Sequence, residues 1–295
     1  MSGEKLSAQS QFVNPFKIKL KAKIEDLGLS NDQLYNADES GLYWKLLPQK
    51  TYVTSLEKSA PGAKMEKQRI TFLCCANASG SHKIKLLVIG KSKNSRSFKN
   101  FICPVNYRNS KSAWMTSSIF KEWFHNCFVP EVTDFLKKKG LPVKALLLID
   151  NAPSHPTESD LKSEDGSIEA MFMPPNVTAL IQLMDQNAIR ITKLHYRNSL
   201  LATIIANEED LLESMKKITL KEGVSILEAS WNRVGKEALS NCWKNILNMV
   251  NDEDDPEFNV PLSVLKEKWQ SEVRSLENTA ADLLQTLCPQ EVFTA

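Results

Sequence analysis

Apolar residues are concentrated in short runs that predict β-strands. The clearest is 144–150, KALLLID, an almost uninterrupted apolar run typical of a strand buried on both faces. Segments 69–76 and 83–89 are rich in β-forming residues and are joined by a short polar turn, so they predict an antiparallel hairpin. Shorter runs at 33–38 and 169–173 complete a set of five predicted strands.

Helical patterns surround these strands. We expect a short helix at 15–28 and a longer one at 117–139, which Pro130 should kink or split and Gly140 should end. Further helices are predicted at 184–206, 207–220, 223–250 and 261–285. This order of elements predicts an α/β fold in which a mixed five-stranded sheet is flanked by helices and followed by a helical C-terminal extension.

The order of the predicted elements divides the chain into three parts. Residues 1–30 are expected to form a linker with a helix, 31–205 the α/β core, and 206–295 a helical C-terminal region. Within the last part, the acidic segment 251–257 is expected to be an exposed linker. The length fits one large domain with an extension.

The composition limits the classes of function. It is 42% hydrophobic and 24% charged, which is ordinary for a soluble globular protein. No apolar run approaches the roughly 20 residues that cross a bilayer, and lysines interrupt the N-terminal segment, so we expect an intracellular protein with no membrane partner. The six cysteines include no C-x-x-C pair, and with only four histidines the pattern is not typical of a zinc site.

The net charge of +2 conceals a local excess of basic residues. Segment 81–111 carries eight basic residues and no Asp or Glu, a pattern that favours a polyanion but is equally explained by lysines that serve solubility. On the predicted helix after residue 185, basic residues at i, i+3 and i+7 form a stripe that faces either phosphates or solvent. The predicted nucleic-acid contacts are Lys83, Lys85, Lys91, Lys93, Arg96, Lys99, Arg190, Lys193 and Arg197.

Three aspartates stand where ligand sites usually form. Asp38 ends the first predicted strand, Asp150 ends the central one, and Asp185 opens a helix. If the three converge, their mutual repulsion favours a divalent cation, and hard oxygen ligands favour Mg²⁺ or Mn²⁺. Two such ions can clamp the attacking and leaving oxygens of a phosphodiester.

Simpler explanations exist for each aspartate. An Asp at a strand end or a helix start is often only a turn or capping residue. Spacing alone also leaves other acids nearby as alternatives, namely Glu39, Asp160 and Asp165.

Three segments that contain these aspartates resemble a known family. NADESGL at 36–42, LLIDNAPSH at 147–155 and PPNVTALIQLMDQ at 174–186 are similar to the three catalytic blocks of pogo/Tigger-type DDE transposases. The strongest similarity is to the jerky and jerky-like group of domesticated Tigger elements, and KSAWMT at 111–116 and FKEWF at 120–124 also resemble that group.

The resemblance implies a fold and an activity. The fold is an RNase H-like core, and the activity is Mg²⁺-dependent strand cleavage and transfer at transposon ends in the nucleus. Asp38, Asp150 and Asp185 match the catalytic, metal-binding triad. Such proteins also carry helix-turn-helix domains before the core; here the core begins almost at Met1, so we expect those domains to be absent and sequence-specific DNA binding to be weak.

Two departures from the family pattern flank the third aspartate. Leu183 stands where the family usually has Pro, and Asn187 stands where it usually has Gly. Either change can displace the carboxylate of Asp185, and a displacement of about 1 Å is costly in catalysis.

Three hypotheses follow. The preferred one is a domesticated, transposase-derived nuclear protein that binds nucleic acid, DNA rather than RNA, with little or no catalysis. The alternatives are an active Mg²⁺-dependent DNA endonuclease or strand transferase, and a protein-interaction scaffold that binds no nucleic acid. Homo-oligomerisation stays open.

Other residues have simpler expected roles. His155 closely follows the second aspartate and is expected to order the loop rather than touch a phosphate. Core or helix packing is expected for all six tryptophans, Trp44, Trp114, Trp123, Trp231, Trp243 and Trp269.

Overall fold

Six strands form one mixed sheet in the computed structural model, which describes residues 13–45, 68–93, 95–175, 184–205, 214 and 217–247, with backbone only at 185, 186, 205 and 245. The strands are β1 (Leu34–Tyr43), β2 (Arg69–Asn77), β3 (Leu87–Gly90), β4 (Asn106–Asn109), β5 (Ala145–Ile149) and β6 (Ile168–Phe172). Their order across the sheet is β4-β3-β2-β1-β5-β6.

The strand directions explain the class of the fold. Strands β1, β2 and β3 form an antiparallel meander, whereas β5 lies parallel to β1 and β6 parallel to β5. This confirms the predicted α/β class, with the RNase H-like arrangement that the resemblance implies. The predicted number of five strands was wrong, because β4 pairs parallel to β3 as a sixth strand at the edge. Its sequence, NYRN, is polar and half exposed, so it lacks the apolar signal of a strand.

Helices cover both faces of the sheet. They are α1 (Val13–Leu27), α2 (Ser117–Trp123), α3 (Val129–Lys139), α4 (Ile189–Ile205), α5 (Leu220–Asn232), α6 (Lys236–Cys242) and α7 (Lys244–Leu247). Helix α1 and helices α4 to α7 contribute to one hydrophobic cluster with one face of the sheet, and α2 and α3 to a second cluster with the other face. No helix within the described ranges is long and apolar enough to cross a membrane.

Two predicted helices are divided in the structure. The helix expected at 117–139 contains a π-helical turn, Phe124–Phe128, and Pro130 lies in the first turn of α3, where its missing N–H is tolerated. The helix expected at 223–250 is three helices, of which the first begins at a capping box formed by Thr219 and Glu222. The segments 251–257 and 261–285, and most of 207–220, lie outside the described residues.

Candidate metal and nucleic-acid site

Five strand ends meet at one edge of the sheet. Strand β2 runs antiparallel to its neighbours, whereas β1, β3, β4, β5 and β6 share one direction. The carboxyl ends of these five strands therefore lie at the same edge, which is where α/β folds usually place their ligands.

The pairing of β1 with β5 relates Asp38 to Asp150. The parallel pairing of β1 with β5 runs to Asn36 and Leu148, and the same register continued by two residues aligns Asp38 with Asp150. Neighbouring strands are about 4.8 Å apart, and residues two positions apart along a strand lie on the same face of the sheet. The expectation that Asp38 ends its strand was wrong, because β1 continues to Tyr43. The register therefore aligns two of the three predicted acids along neighbouring strands, and their joint binding of a cation stays a prediction.

Asn36 connects the segments that precede all three aspartates. This fully buried side chain donates from Nδ2 to the carbonyl oxygen of Leu148 at 2.9 Å. Its Oδ1 accepts from the backbone N–H of Met184 at 3.1 Å. Leu148 precedes Asp150 by two residues, and Met184 directly precedes Asp185. The sequence analysis missed Asn36, although a polar residue inside the apolar run 33–38 was a signal for it.

Asp185 itself lies in the π-helical turn Met184–Ala188 that leads into α4. Its side chain is outside the described atoms, so its membership in the triad stays a prediction. Among the side chains that the structure does describe, His, Cys, Asp and Glu form no group of three or more that could hold a metal ion.

His155 holds two acids at the site. Its Nε2 lies 3.1 Å from Oε1 of Glu39, and its Nδ1 lies 2.9 Å from the carbonyl oxygen and 3.2 Å from Oδ1 of Asp150. The imidazole side chain is only 2% exposed and packs on the ring of Phe120 with the centroids 4.5 Å apart. Burial alone would lower the pKa of His155, but the hydrogen bonds and charges of Glu39 and Asp150 outweigh it and raise the pKa.

The alternative acids have other partners. Glu39 alternates with Asp38 along β1 and therefore faces the opposite side of the sheet, where His155 binds it. Asp160 pairs with Lys121 at 2.5 Å. Asp165 accepts from the hydroxyls of Ser163 at 2.6 Å and Ser167 at 2.8 Å. The partners of Asp160 and Asp165 favour Asp38 and Asp150 over those two acids as cation ligands. Glu39 shares its partner His155 with Asp150 and differs from Asp38 in the face of β1 on which it lies.

The donor atoms at Asp38 and Asp150 fit a hard cation. Cys74 pairs with Asp38 across β1 and β2. Its pKa is raised, first by complete burial and then by the negative charge of Asp38, so the thiol stays protonated. The available ligands are then carboxylate oxygens, which suit Mg²⁺ or Mn²⁺ better than a soft metal.

The predicted basic contacts of segment 81–111 fall into two groups. Lys83 donates from Nζ to the carbonyl oxygens of Trp231 at 3.0 Å, Asn232 at 3.0 Å and Val234 at 2.9 Å, at the C-terminus of α5. Burial also lowers the pKa of Lys83. The three hydrogen bonds show that Lys83 caps the helix. The other side chains are exposed, and most follow the carboxyl end of β3; they are Lys85, Lys91, Lys93, Arg96 and Lys99.

The basic stripe on α4 is also divided. Arg197 is exposed, and the exposed Arg190 donates to Oδ1 of Asn187 at 2.8 Å. Lys193 is half-buried and donates to the hydroxyl of Ser40 at 2.7 Å, on the strand that carries Asp38. Arg190 and Arg197 thus face solvent, whereas Lys193 places a positive charge beside the carboxylates.

Residues 67–243 match the family model described as DDE superfamily endonuclease. The chain belongs to this family. As a member, it is a transposase-derived DDE-type endonuclease domain. Asp150 and Asp185 lie within the matched residues, and Asp38 precedes them.

Three curated relatives are similar over most of this chain. Tigger transposable element-derived protein 7 of Homo sapiens is 38% identical, over 82% of this chain and 47% of its own length. Jerky protein homolog of Homo sapiens is 34% identical, over 83% of this chain and 42% of its own length. Jerky protein of Mus musculus is 32% identical with the same coverage, 83% and 42%. The chain therefore spans less than half the length of these relatives.

Two solved structures also resemble the chain at low identity. The Mos1 transposase paired-end complex with left transposon end has a TM-score of 0.43 and 12% identity, covering 84% of this chain and 62% of that one. The Mos1 mariner paired end complex with Mn has a TM-score of 0.43 and 11% identity, covering 82% and 63%.

Proposed function

We propose that this DDE-family chain is a domesticated nuclear protein that binds nucleic acid, DNA rather than RNA, with little or no strand cleavage. The observation that supports this most is the alignment of Asp38 with Asp150, in a sheet whose strand β3 leads into the exposed Lys91, Lys93 and Arg96. A sheet that carries both an acidic, cation-binding centre and exposed basic side chains suits a phosphate backbone.

A divalent cation belongs to this proposal. Asp38 and Asp150 are the residues that would hold Mg²⁺ or Mn²⁺, with Asp185 as the proposed third ligand. When bound, the ion supplies positive charge for a phosphate oxygen. Asn36 would keep the three segments together, His155 would orient Asp150, and Lys193 would add a fixed positive charge beside them.

The names of two relatives state an origin in a transposable element. The human and mouse Tigger relatives are named as transposable element-derived proteins. In this chain Leu183 and Asn187 flank the proposed third ligand, and both alter the backbone freedom or the space around it. We therefore place nucleic-acid binding ahead of cleavage.

Salt-dependent binding tests this proposal. The full chain is mixed with a fluorescent DNA duplex, and anisotropy is measured from low to physiological salt, with an RNA duplex of the same sequence alongside. We expect the DNA affinity to fall linearly with salt on a double-logarithmic plot and to exceed the RNA affinity. Absence of binding at low salt would favour the protein-interaction scaffold, and stronger RNA binding would reverse the preference.

The active endonuclease remains a second candidate because Asp38 and Asp150 are aligned on neighbouring strands. Nicking of supercoiled plasmid with Mn²⁺ separates it from the first. The matched variant is Asp150→Asn, which keeps the size of the side chain and removes its charge. We expect equal background cleavage by both proteins; cleavage that only the wild type performs would establish the enzyme.

The nuclear location is tested by imaging the tagged full chain in cells. Exclusion of the protein from the nucleus would contradict it.

A further inference from the structure

Trp114 is 58% exposed, which was not expected from the sequence. The predicted packing is confirmed for Trp44, Trp123, Trp231 and Trp243, whose exposure is between 1% and 5%. Trp269 lies outside the described residues. For Trp114 the prediction was wrong, because its loop between β4 and α2 turns the ring outward rather than into either hydrophobic cluster.

One face of this exposed ring is fixed by Arg69. The guanidinium carbon of Arg69 lies 3.7 Å from the centroid of the Trp114 ring, which is a cation–π contact at stacking distance. Arg69 Nη2 also donates to the carbonyl oxygen of Ala113 at 3.4 Å. The hydroxyl of Ser110 donates to the carbonyl oxygen of Trp114 at 2.7 Å. The arginine and the loop backbone therefore hold the ring in place while more than half of it faces solvent.

The ring lies near the carboxyl end of β1, the strand that carries Asp38. Arg69 is paired with Tyr43 at the carboxyl end of β1, and its side-chain carbons pass over Gly41. Glu39, Gly41 and Tyr43 are every second residue of β1, so they lie on the same face of the sheet. Four residues of extended strand, about 14 Å, separate Glu39 from Tyr43. Trp114 therefore lies on the side of β1 that Glu39 faces, opposite to the side that Asp38 faces.

The surroundings of the ring suit a nucleobase better than a protein. A stable protein interface buries on the order of 800 Å² per partner, which one exposed ring does not offer. A nucleobase needs only one aromatic face, and its phosphates benefit from nearby positive charge. Arg69 supplies that charge under the ring, and the exposed Lys111 lies three residues before it.

We propose that the outer face of Trp114 stacks on an unpaired base of a bound DNA strand, with Arg69 holding the ring from behind. This inference rests on the proposed nucleic-acid binding and adds a preference for unpaired bases. Arg69 is a positioning residue here, whereas Trp114 contacts the ligand.

The test uses the full chain and 2-aminopurine, a base whose fluorescence falls when it stacks. It is placed in a single-stranded oligonucleotide and, separately, in the interior of a blunt duplex. We expect quenching and tighter binding of the single strand by the wild type. Trp114→Ala should weaken single-strand binding roughly tenfold, abolish the quenching and leave duplex binding unchanged.

Two variants control for folding and for exposure. Trp114→Phe keeps an aromatic face and should retain most of the quenching. Ile18→Ala changes a side chain of similar exposure, 59%, on helix α1 and should behave as wild type.

Equal single-strand binding and quenching by wild type and Trp114→Ala would overturn this inference while salt-dependent duplex binding still supported the proposed function. Binding of neither DNA by the wild type would overturn both.

Discussion

The side-chain amide oxygen of Asn36 accepts a hydrogen bond from the backbone N–H of Met184 at 3.1 Å, although the two residues are 148 positions apart. The same side chain also donates to Leu148. One buried amide thus joins the backbone segments that carry the three candidate ligands, so the geometry of the site depends on a residue that touches no cation.

Replacing Asn36 should therefore damage both the fold and the site. Asn36→Leu leaves the N–H of Met184 and the carbonyl of Leu148 buried without this partner, which should cost about 1–3 kcal/mol in the free energy of unfolding. We also expect it to reduce the stabilisation that Mg²⁺ or Mn²⁺ provides, as measured by urea unfolding with and without metal.

Asn77→Leu is the matched control for this experiment. Asn77 is also fully buried on the sheet, but its amide binds Asp32 and Ser81, which precede β1 and follow β2, rather than the segments that lead to the aspartates. It should lose comparable stability and keep the full effect of metal. If Asn36→Leu also kept the full effect of metal, the linking role of Asn36 would be refuted.

Divalent metal should raise the melting temperature of the wild type. The bound ion relieves repulsion between the aligned carboxylates of Asp38 and Asp150, and metal at a hundredfold excess over Kd stabilises by about 2.7 kcal/mol. Differential scanning fluorimetry with millimolar Mg²⁺ or Mn²⁺ measures the shift. Asp38→Asn and Asp150→Asn should each abolish it.

Asp165→Asn is the control for the metal effect. Asp165 is an acid with its own serine partners on the loop before β6, so this variant should retain the metal-induced shift. A wild type that melts at the same temperature with and without metal would count against an organised cation site.

Lys83 and Lys91 should behave in opposite ways. Lys83→Met removes three hydrogen bonds at the C-terminus of α5 and should cost about 1–3 kcal/mol of stability, with no effect on the salt dependence of DNA binding. Lys91 is exposed, so Lys91→Met should change stability by less than about 0.5 kcal/mol and lower the salt slope by up to about 1. Denaturation and anisotropy measure the two effects. A lower salt slope for Lys83→Met would contradict its structural role.

Much of the fold could be predicted from apolar patterning. The runs at 144–150 and 69–89 predict β5 and the hairpin because their strands are buried and short connections determine their pairing. The polar strand β4 and the far end of β1 could not be predicted in this way. Their residues are partly exposed, so backbone pairing, rather than hydrophobicity, makes them strands.

The site was less predictable than the sheet. The expected positions of Asp38 and Asp150 at strand ends pointed to a common edge, but nothing in the sequence distinguishes Lys83, which caps a helix, from Lys91, which faces solvent. The difference arises from contacts with residues almost 150 positions away. The outward orientation of Trp114 likewise depends on Arg69, which is distant in sequence.

Substitution of Gly80 tests its close contact with α6, and the same substitution at Gly140 is the control. Both glycines have φ of +67°, where any other residue is strained. At Gly140 a Cβ would meet nothing within 4 Å, so Gly140→Ala should cost only the backbone strain, about 1–2 kcal/mol. At Gly80 a Cβ would lie 2.3 Å from the carbonyl oxygen of Lys236, the first residue of α6.

Gly80→Ala should consequently lose more stability than Gly140→Ala, because α6 has to move in addition to the backbone strain. Urea unfolding measures the difference, and near-UV circular dichroism reports the displacement of α6 through the buried Trp243 that follows it. If the two variants lost equal free energy of unfolding, α6 would be shown to move without destabilising the protein.

His82 should make the protein sensitive to mild acid. Its Nδ1 lies 2.8 Å from the hydroxyl of Tyr35, and its ring stacks on Phe135 with the centroids 4.2 Å apart. Burial, followed by the positive charge of Lys138, lowers the pKa of His82 from 6.5 to about 4. Between these two values the unfolded chain binds a proton that the folded protein does not, so stability falls as the pH decreases through this window.

The variant His82→Gln isolates this effect, because glutamine can still bond to Tyr35 but does not titrate. Between pH 7 and pH 4.5 the wild type should lose about 1–2 kcal/mol more than the variant, a figure already reduced for the partial exposure of the ring. Urea unfolding at the two pH values gives the comparison. If both proteins lost the same stability, the low pKa of His82 would be refuted, since acid sensitivity shared by the two must come from groups that both retain.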